Sequence, residues 1–157
     1  FKDKMFRIAR RLLVSAEEAE DALQDVIFKL WRSRDKLTNY KNPEAYAITM
    51  IKNRCFDQLK SKNAQNLKIV HSNYEDSSRS LQESVEVNDS LRWVEFHMNA
   101  LPRNQKLILQ LRDVECFEFS EIADILDMNE TAIRVSLSRA RKIIRGKLTK
   151  THNYGIK

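Results

Sequence analysis

The scarcity of glycine and proline is the feature that most constrains this chain. Only two glycines and two prolines occur among its 157 residues. β-Sandwiches and barrels need many turn residues, and nucleotide-binding loops need several glycines, so both kinds of fold are excluded. Because 42% of the residues are hydrophobic, the chain can bury a core, and full disorder is not expected. We therefore predict an all-α fold.

Apolar residues recur at spacings of three and four along most of the chain, which indicates amphipathic helices. A short first helix is followed by a second helix. Ser15 caps this second helix, which runs past Trp31. Pro43 opens a third helix, which ends near Lys62. We expect Trp31 and Trp93 to pack in the core or between domains. Further helices are predicted at residues 89–100, 103–115, 119–126 and 130–148.

Residues 63–88 lose this periodicity and are rich in Asn, Gln, Ser, Asp and Glu. Such a composition predicts a flexible linker between two small helical domains, at residues 1–62 and 89–157. Because the chain begins at Phe1 rather than Met, we expect the N-terminus to be truncated. No apolar stretch is long enough to predict a membrane span, and no signal peptide is visible.

The cysteines and histidines show no pattern of a metal or catalytic site. Cys55 and Cys116 lie far apart, and the three histidines are scattered along the chain. This arrangement predicts neither a disulfide framework nor a metal site, and it favours a reducing cytosol. We expect no cofactor and no catalytic residues.

Positive charge is concentrated at the C-terminal end. Residues 131–157 carry eight basic and no acidic side chains, whereas the whole chain has a net charge of +6. Just before this segment, Ser120–Leu126 reads as a short helix and Asp127–Asn129 as a tight turn in which Asn129 caps the next helix. The next helix has an apolar stripe made of Ile133, Leu137, Ala140 and Ile144.

This short helix, turn and basic helix predict a helix-turn-helix. A packed first helix holds a second helix whose outer face carries Arg and small polar residues, and such a helix fits the major groove of DNA. Its later cations suit the phosphates. The alternative interpretation is a cationic amphipathic helix with a solvated face, which the three-part pattern disfavours.

Several segments, taken in order, resemble conserved regions of bacterial sigma factors. Ala19–Trp31 resembles the conserved helix of sigma domain 2, and Asn42–Tyr46 with Asn53–Lys60 resembles the promoter-melting helix that follows it. Four further segments resemble domain 4. They are Leu101–Pro102, Leu111–Arg112, Glu121–Ala123 and Arg139–Arg141. The chain is therefore similar to the small extracytoplasmic-function group of the sigma-70 family.

The resemblance implies a non-enzymatic specificity subunit that joins core RNA polymerase, directs it to promoters and helps to open the duplex. Its implied partners are core polymerase, through the β′ clamp helices and the β flap, promoter DNA, and an anti-sigma factor. The matching polymerase-binding residues are Asp21, Gln24, Asp25, Lys29 and Arg32. From periodicity alone, the same residues would be an ordinary solvated helix face.

The resemblance also assigns residues to the two promoter elements. For −35 recognition they are Arg112, Thr131, Arg134, Val135, Ser138, Arg139 and Lys142. For −10 recognition and melting they are Asn39, Tyr40, Lys41, Asn42, Tyr46, Lys52, Asn53 and Lys60. Amides can bond a base edge and a tyrosine ring can stack on a base, although Tyr46 suits a core role equally well.

Four places depart from the family pattern, and two other functions stay open. Tyr46 stands where the family usually has Trp, and Cys116 where a glycine is usual before the helix-turn-helix. Thr131-Ala132 stands where the family often has Gly-Thr, and Val135 where Ser is common, so the −35 sequence that is recognised stays open. One alternative function is a stand-alone dimeric helix-turn-helix regulator, which would bind duplex DNA without polymerase. The other is a protein-interaction module whose basic helix binds an acidic partner.

Overall fold

The computed structural model describes residues 1–13, 15–37, 39–69 and 89–154, and these residues form helices joined by short turns. The helices are α1 Lys2–Leu13, α2 Ala16–Arg32, α3 Arg34–Leu37, α4 Pro43–Ile69, α5 Asp89–Asn99, α6 Arg103–Leu109, α7 Phe119–Leu126 and α8 Glu130–Tyr154. A π-helical turn, Gln110–Val114, continues α6. The all-α prediction is confirmed, and the described residues contain no strand.

Helices α1, α2 and α4 pack together into an N-terminal unit. Its core includes Ile8 of α1, Ala22 and Val26 of α2, and Ile51 of α4. The small Ala22 side chain lets the helices approach closely. Ser15 caps α2 as predicted, because its Oγ accepts a hydrogen bond from the Glu18 N–H at 3.4 Å.

Helix α4 begins at Pro43 as predicted but continues to Ile69, beyond the predicted end near residue 62. The first residues of the predicted linker are therefore helical. Residues 70–88, which make up the rest of that linker, lie outside the described residues.

Helices α6, α7 and α8 form the core of a C-terminal unit, and α5 packs on α8. The predicted apolar stripe of α8 is buried, as are Ile122 and Ile125 of α7. Asp127 ends α7 in the left-handed conformation, with φ 53° and ψ 51°. Asn129 Oδ1 then accepts a hydrogen bond from the Ala132 N–H at 2.7 Å, so the predicted turn and cap are both confirmed.

The prediction that both tryptophans are buried is wrong. Trp31 is 67% exposed and Trp93 is 43% exposed. The buried stripe of α2 ends at Val26, and the Trp31 ring lies instead beneath the Arg34 guanidinium, 5.1 Å from it. Trp93 lies on the outer side of α5, where its ring meets Phe96 edge to face.

The two units pack directly against each other, α1 against α6 and α4 against α7. The buried Glu115 carboxylate accepts two hydrogen bonds from Arg7, at 2.8 and 2.6 Å, and a third from Gln110 at 3.0 Å. The hydrogen bond to Glu115 raises the pKa of Arg7, so this guanidinium is held in its charged form. An ion pair between α1 and the end of the π-helical turn therefore joins the units.

Cys116 adopts φ 60°, a conformation that favours glycine. We expect Cys116→Gly to be at least as stable as the parent and Cys116→Val to be less stable, with about 1 kcal/mol or more between the two variants. Relief of backbone strain favours the glycine, while the greater freedom of its unfolded chain reduces the gain. Urea denaturation measures the difference. Equal stability of the two variants would contradict the assigned strain.

Candidate nucleic-acid interface

One face of α8 is open to solvent and carries the predicted −35 residues. Their spacing of three and four residues along the helix places them on the same side. All of the set that lies on α8 is exposed: Thr131, Arg134, Val135, Ser138, Arg139 and Lys142. The structure thus brings these six predicted residues together on the second helix of a helix-turn-helix.

Phe119, at the start of α7, supports this face. The Arg134 guanidinium lies 3.9 Å from the centre of the Phe119 ring, and the Arg112 guanidinium lies 4.7 Å from it. Arg134 also pairs with Glu130 at 3.2 Å, one turn earlier on α8. The cation–π contact and the ion pair hold the Arg134 side chain at the open end of α8.

Arg112 is more engaged within the protein than the resemblance implied. It donates a hydrogen bond to the Phe117 carbonyl at 2.7 Å and pairs with Glu118 at 3.1 Å. These contacts tie the π-helical turn to the start of α7. Arg112 is therefore placed to orient the helix-turn-helix, and its predicted contact with DNA stays a prediction.

A shallow groove of about 650 Å³ runs beside α8. Its lining combines the Phe119 ring with cationic and polar side chains, namely Arg134, Ser138, Arg141, Lys142 and Arg145. Arg141 and Arg145 were not among the predicted −35 residues, although their position one turn beyond Ser138 and Lys142 could have identified them. Hydrogen bonding to Asp113 raises the pKa of Arg141 and keeps it charged. This lining suits a polyanion.

The predicted −10 residues form a second cluster, at the start of α4. Tyr40 stacks on Tyr46 with ring centres 4.0 Å apart and an angle of 18° between the rings. The side-chain hydrogen bond between the two tyrosines raises the pKa of Tyr46. Asn42 caps α4, because its Oδ1 accepts a hydrogen bond from the Ala45 N–H at 3.0 Å. Asn39 and Lys41 are exposed beside it.

Helix α7 lies over this cluster. The Asn42 side-chain amide donates to Glu121 Oε1 at 2.7 Å, and Lys52 Nζ donates to the Ile125 carbonyl at 2.7 Å. Partial burial lowers the pKa of Lys52, while nearby Asp127 acts in the opposite direction. A cleft of about 500 Å³ remains between α7 and the stacked tyrosines. The remaining predicted −10 residues, Asn53 and Lys60, are exposed further along α4.

The third surface is the outer face of α2. All five residues that the resemblance assigned to polymerase binding, Asp21, Gln24, Asp25, Lys29 and Arg32, are exposed. Asp25 accepts a hydrogen bond from Arg54 at 2.8 Å. Phe28 and Trp31 lie on the same face and are 61% and 67% exposed. Sequence reasoning missed both aromatics as surface residues, because an apolar residue at helical spacing reads as core.

Two family models match the chain, one for each unit. The model of Sigma-70 region 2 matches residues 1–65, and that of Sigma-70 region 4 matches residues 91–144. The chain belongs to the sigma-70 family. It has the two-region organisation of the extracytoplasmic-function group, and its function is that of an alternative sigma factor.

Solved structures share this sigma-factor fold. One is the sigma factor RpoE of Bartonella quintana in complex with the anti-sigma factor NepR. It is 21% identical, with 94% of this chain and 91% of that chain covered and a TM-score of 0.78. Another is CnrH in complex with the cytosolic domain of CnrY, at 16% identity, with 94% and 81% covered and a TM-score of 0.62. At these identities, the likeness supports the fold.

The described residues of this sigma factor contain neither a membrane-spanning helix nor a cluster of metal-ligating side chains. No helix among them is both long enough and apolar enough to cross a membrane. In the same ranges, no group of three or more His, Cys, Asp or Glu side chains is placed to hold a metal ion.

Asn129 sets the start of α8 and thereby the position of Arg134. We expect Asn129→Ala to lower the free energy of unfolding by about 1 kcal/mol, because the helix loses the acceptor for one of its free N–H groups. Asn129→Ser is the matched control, since a hydroxyl restores the acceptor, and it should stay near the parent value. Urea denaturation distinguishes them. Equal stability of the alanine and serine variants would contradict the capping role.

Proposed function

We propose that this sigma factor divides promoter recognition and polymerase docking among three surfaces. The α8 face reads the −35 element, the cluster at the start of α4 reads and helps to melt the −10 element, and the outer face of α2 binds core RNA polymerase. The observation that carries the proposal is the open cationic face of α8, held by Phe119 and by the Asn129 cap.

For the −35 element, α8 enters the major groove. Residues in the first turns of a recognition helix touch base edges, so Thr131, Arg134 and Val135 contact bases. Arg139 and Lys142 lie further along the helix and bind phosphates. The phosphate contacts supply affinity that falls with salt, whereas the base contacts supply specificity.

For the −10 element, the cluster at α4 receives single-stranded DNA. Melting requires a base to leave the stack and find another stacking surface. Tyr40 and Tyr46 offer that surface, Asn39 and Asn42 offer amides to a base edge, and Lys52 offers a positive charge to the backbone. Lys41, Asn53 and Lys60 extend the cationic and polar path.

For polymerase, α2 combines exposed aromatics with charged side chains. Interfaces of this kind are anchored by a few large side chains and surrounded by polar contacts. Phe28 and Trp31 are therefore the anchors, and Asp21, Gln24, Asp25, Lys29 and Arg32 are the polar contacts. The partner surface is the β′ clamp helices, while the C-terminal unit meets the β flap.

We also propose the general class of the protein, its location and its regulation. The protein is not an enzyme, acts in the bacterial cytoplasm and needs no cofactor. An anti-sigma factor regulates it, a proposal supported by the two similar solved structures, which are complexes with an anti-sigma factor and with the cytosolic domain of CnrY. The functional domains are residues 1–62 and 89–157, joined by residues 63–88, of which the first seven continue α4 to Ile69.

The division of labour predicts selective loss of promoter recognition. The double variant Arg134→Ala with Arg139→Ala should lose promoter-specific run-off transcription by about 100-fold or more, because a base contact and a phosphate contact disappear together. Its affinity for core polymerase should not change. The control Arg92→Ala with Lys150→Ala removes the same charge from exposed sites outside the three surfaces and should transcribe normally. Loss of polymerase binding in the first variant would contradict the proposal.

Removal of an aromatic anchor from α2 should instead weaken polymerase binding. Phe28→Ala or Trp31→Ala should weaken binding to core polymerase at least about tenfold, as expected when an aromatic anchor is removed. Phe96→Ala is the matched control, because Phe96 is 63% exposed, close to the value for Phe28, but lies on α5. Fluorescence anisotropy with labelled protein measures all three. Unchanged affinity of both α2 variants would exclude this face as the docking surface.

A further inference from the structure

Three cationic side chains lie close together where α1, α4 and α6 meet, outside the three surfaces proposed above. Arg11 belongs to the last turn of α1, and Arg103 and Lys106 lie one turn apart on α6. Arg11 Nε donates a hydrogen bond to Gln110 Oε1 at 3.2 Å, and the Arg103 guanidinium lies 5.3 Å from the centre of the Phe56 ring. Both arginines are therefore held in place beside the lysine. We call Arg11, Arg103 and Lys106 the Lys106 cluster.

Lys106 is a half-buried cation without a counterion. Among the described residues, no oxygen atom accepts a hydrogen bond from its ammonium group, and no carboxylate pairs with it. Burial lowers the pKa of Lys106, and the positive charges of Arg11 and Arg103 lower it further. The charged form of this side chain is thus disfavoured both by lost hydration and by repulsion.

Two lysines of the N-terminal unit show the more usual arrangement. Lys52 is partly buried as well, but its ammonium donates a hydrogen bond to the Ile125 carbonyl at 2.7 Å. Lys4 is also partly buried, and it pairs with Glu44 at 2.9 Å. Lys106 differs from both, because its surroundings supply cations and no acceptor. Unfavourable electrostatics of this kind are typical of a site whose counter-charge comes from a ligand.

The charge and the donors of the Lys106 cluster define the ligand. Arg11 lies 3.6 Å from Glu95, so three cations and one carboxylate leave a net charge of +2. Guanidinium and ammonium groups bind the oxygens of a phosphate through charge-assisted hydrogen bonds. A phosphomonoester carries about two negative charges at neutral pH. A phosphodiester of a nucleic acid carries only one, so the cluster matches the monoester or the free ion better.

We propose that Arg11, Arg103 and Lys106 bind the dianionic phosphate group of a small molecule, either inorganic phosphate or a phosphomonoester. The bound group accepts a hydrogen bond from Lys106, neutralises the repulsion among the three cations and links α1 to α6. The site is additional to the proposed function and does not depend on it.

The test compares the thermal unfolding midpoint, Tm, of the full chain in chloride and in phosphate at the same ionic strength. A ligand that binds only the folded chain raises Tm. With about 10 mM phosphate and a dissociation constant of about 1 mM, we expect a rise of about 4 °C. Phenyl phosphate replaces inorganic phosphate in a second series. A larger rise with phenyl phosphate assigns the site to a monoester, and a larger rise with inorganic phosphate assigns it to the free ion.

Lys106→Met keeps the apolar stem of the side chain and removes its charge. In chloride this variant should be at least as stable as the parent, because a repelled charge without a partner is gone. In phosphate its rise in Tm should fall below about 1 °C. Lys150→Met is the matched control, since it removes the same charge from an exposed position on α8, and it should keep the full rise. This control also accounts for the general stabilisation of folded proteins by phosphate.

Arg103→Gln keeps the inference testable if Lys106→Met does not fold, and it should also lose most of the rise. Equal rises in the parent and in either variant of the cluster, or no rise in the parent, would overturn the inference. Dimethyl phosphate, a monoanionic diester, should raise Tm little. A rise as large as that with phosphate would overturn the assignment and point to a nucleic-acid backbone. Lower stability of Lys106→Met in chloride would also contradict it, because the ammonium would then have a favourable partner within the protein.

Discussion

The ion pair between the half-exposed Arg7 and the buried Glu115 is the interaction on which the arrangement of this molecule depends. Glu115 sits at the end of the π-helical turn with no exposed side-chain area, and Arg7 reaches it from the first helix of the other unit. A buried carboxylate without a partner is strongly unfavourable, so the burial of Glu115 depends on its contact with Arg7. The contact between the two units therefore depends on both Arg7 and Glu115. A purely apolar contact would not depend on a single charged pair.

The contact between the two units links the two proposed DNA surfaces through one short helix, α7. On one side, α7 buries Ile122 and Ile125 against its own unit and supports α8 through Phe119. On the other side, its carboxylates and its C-terminal carbonyl engage the −10 cluster. The same eight residues therefore support the proposed −35 surface and contact the proposed −10 cluster.

The sequence allowed accurate prediction wherever a local pattern decides the structure. The turn at Asp127, the cap at Asn129 and the start of α4 at Pro43 all follow from conformational preferences of single residues, and the structure confirms them. The apolar stripe of α8 could be predicted equally well, because helical spacing places its residues on one face. The resemblance supplied what spacing could not, namely the assignment of exposed polar residues to DNA and polymerase.

What could not be predicted depends on partners distant in sequence. Arg7 and Glu115 are separated by 108 positions, and Asn42 and Glu121 by 79, so no local pattern relates them. Trp31 was predicted to pack in the core or between domains, because helical spacing cannot distinguish an aromatic side chain that packs inward from one that is exposed on the surface. The only sequence signal for the positive φ of Cys116 was that the family usually has a glycine at this position. Arg7, Glu115, Asn42 and Glu121 are also residues through which the two units meet.

Transcription from a library of random promoters, with this chain and core RNA polymerase, tests the central claim most directly. The account predicts transcripts only when both proteins are present. It also predicts that the active templates share two short sequence elements about two helical turns of DNA apart, one for each unit. An absence of transcripts, or active templates enriched in no sequence, would contradict it.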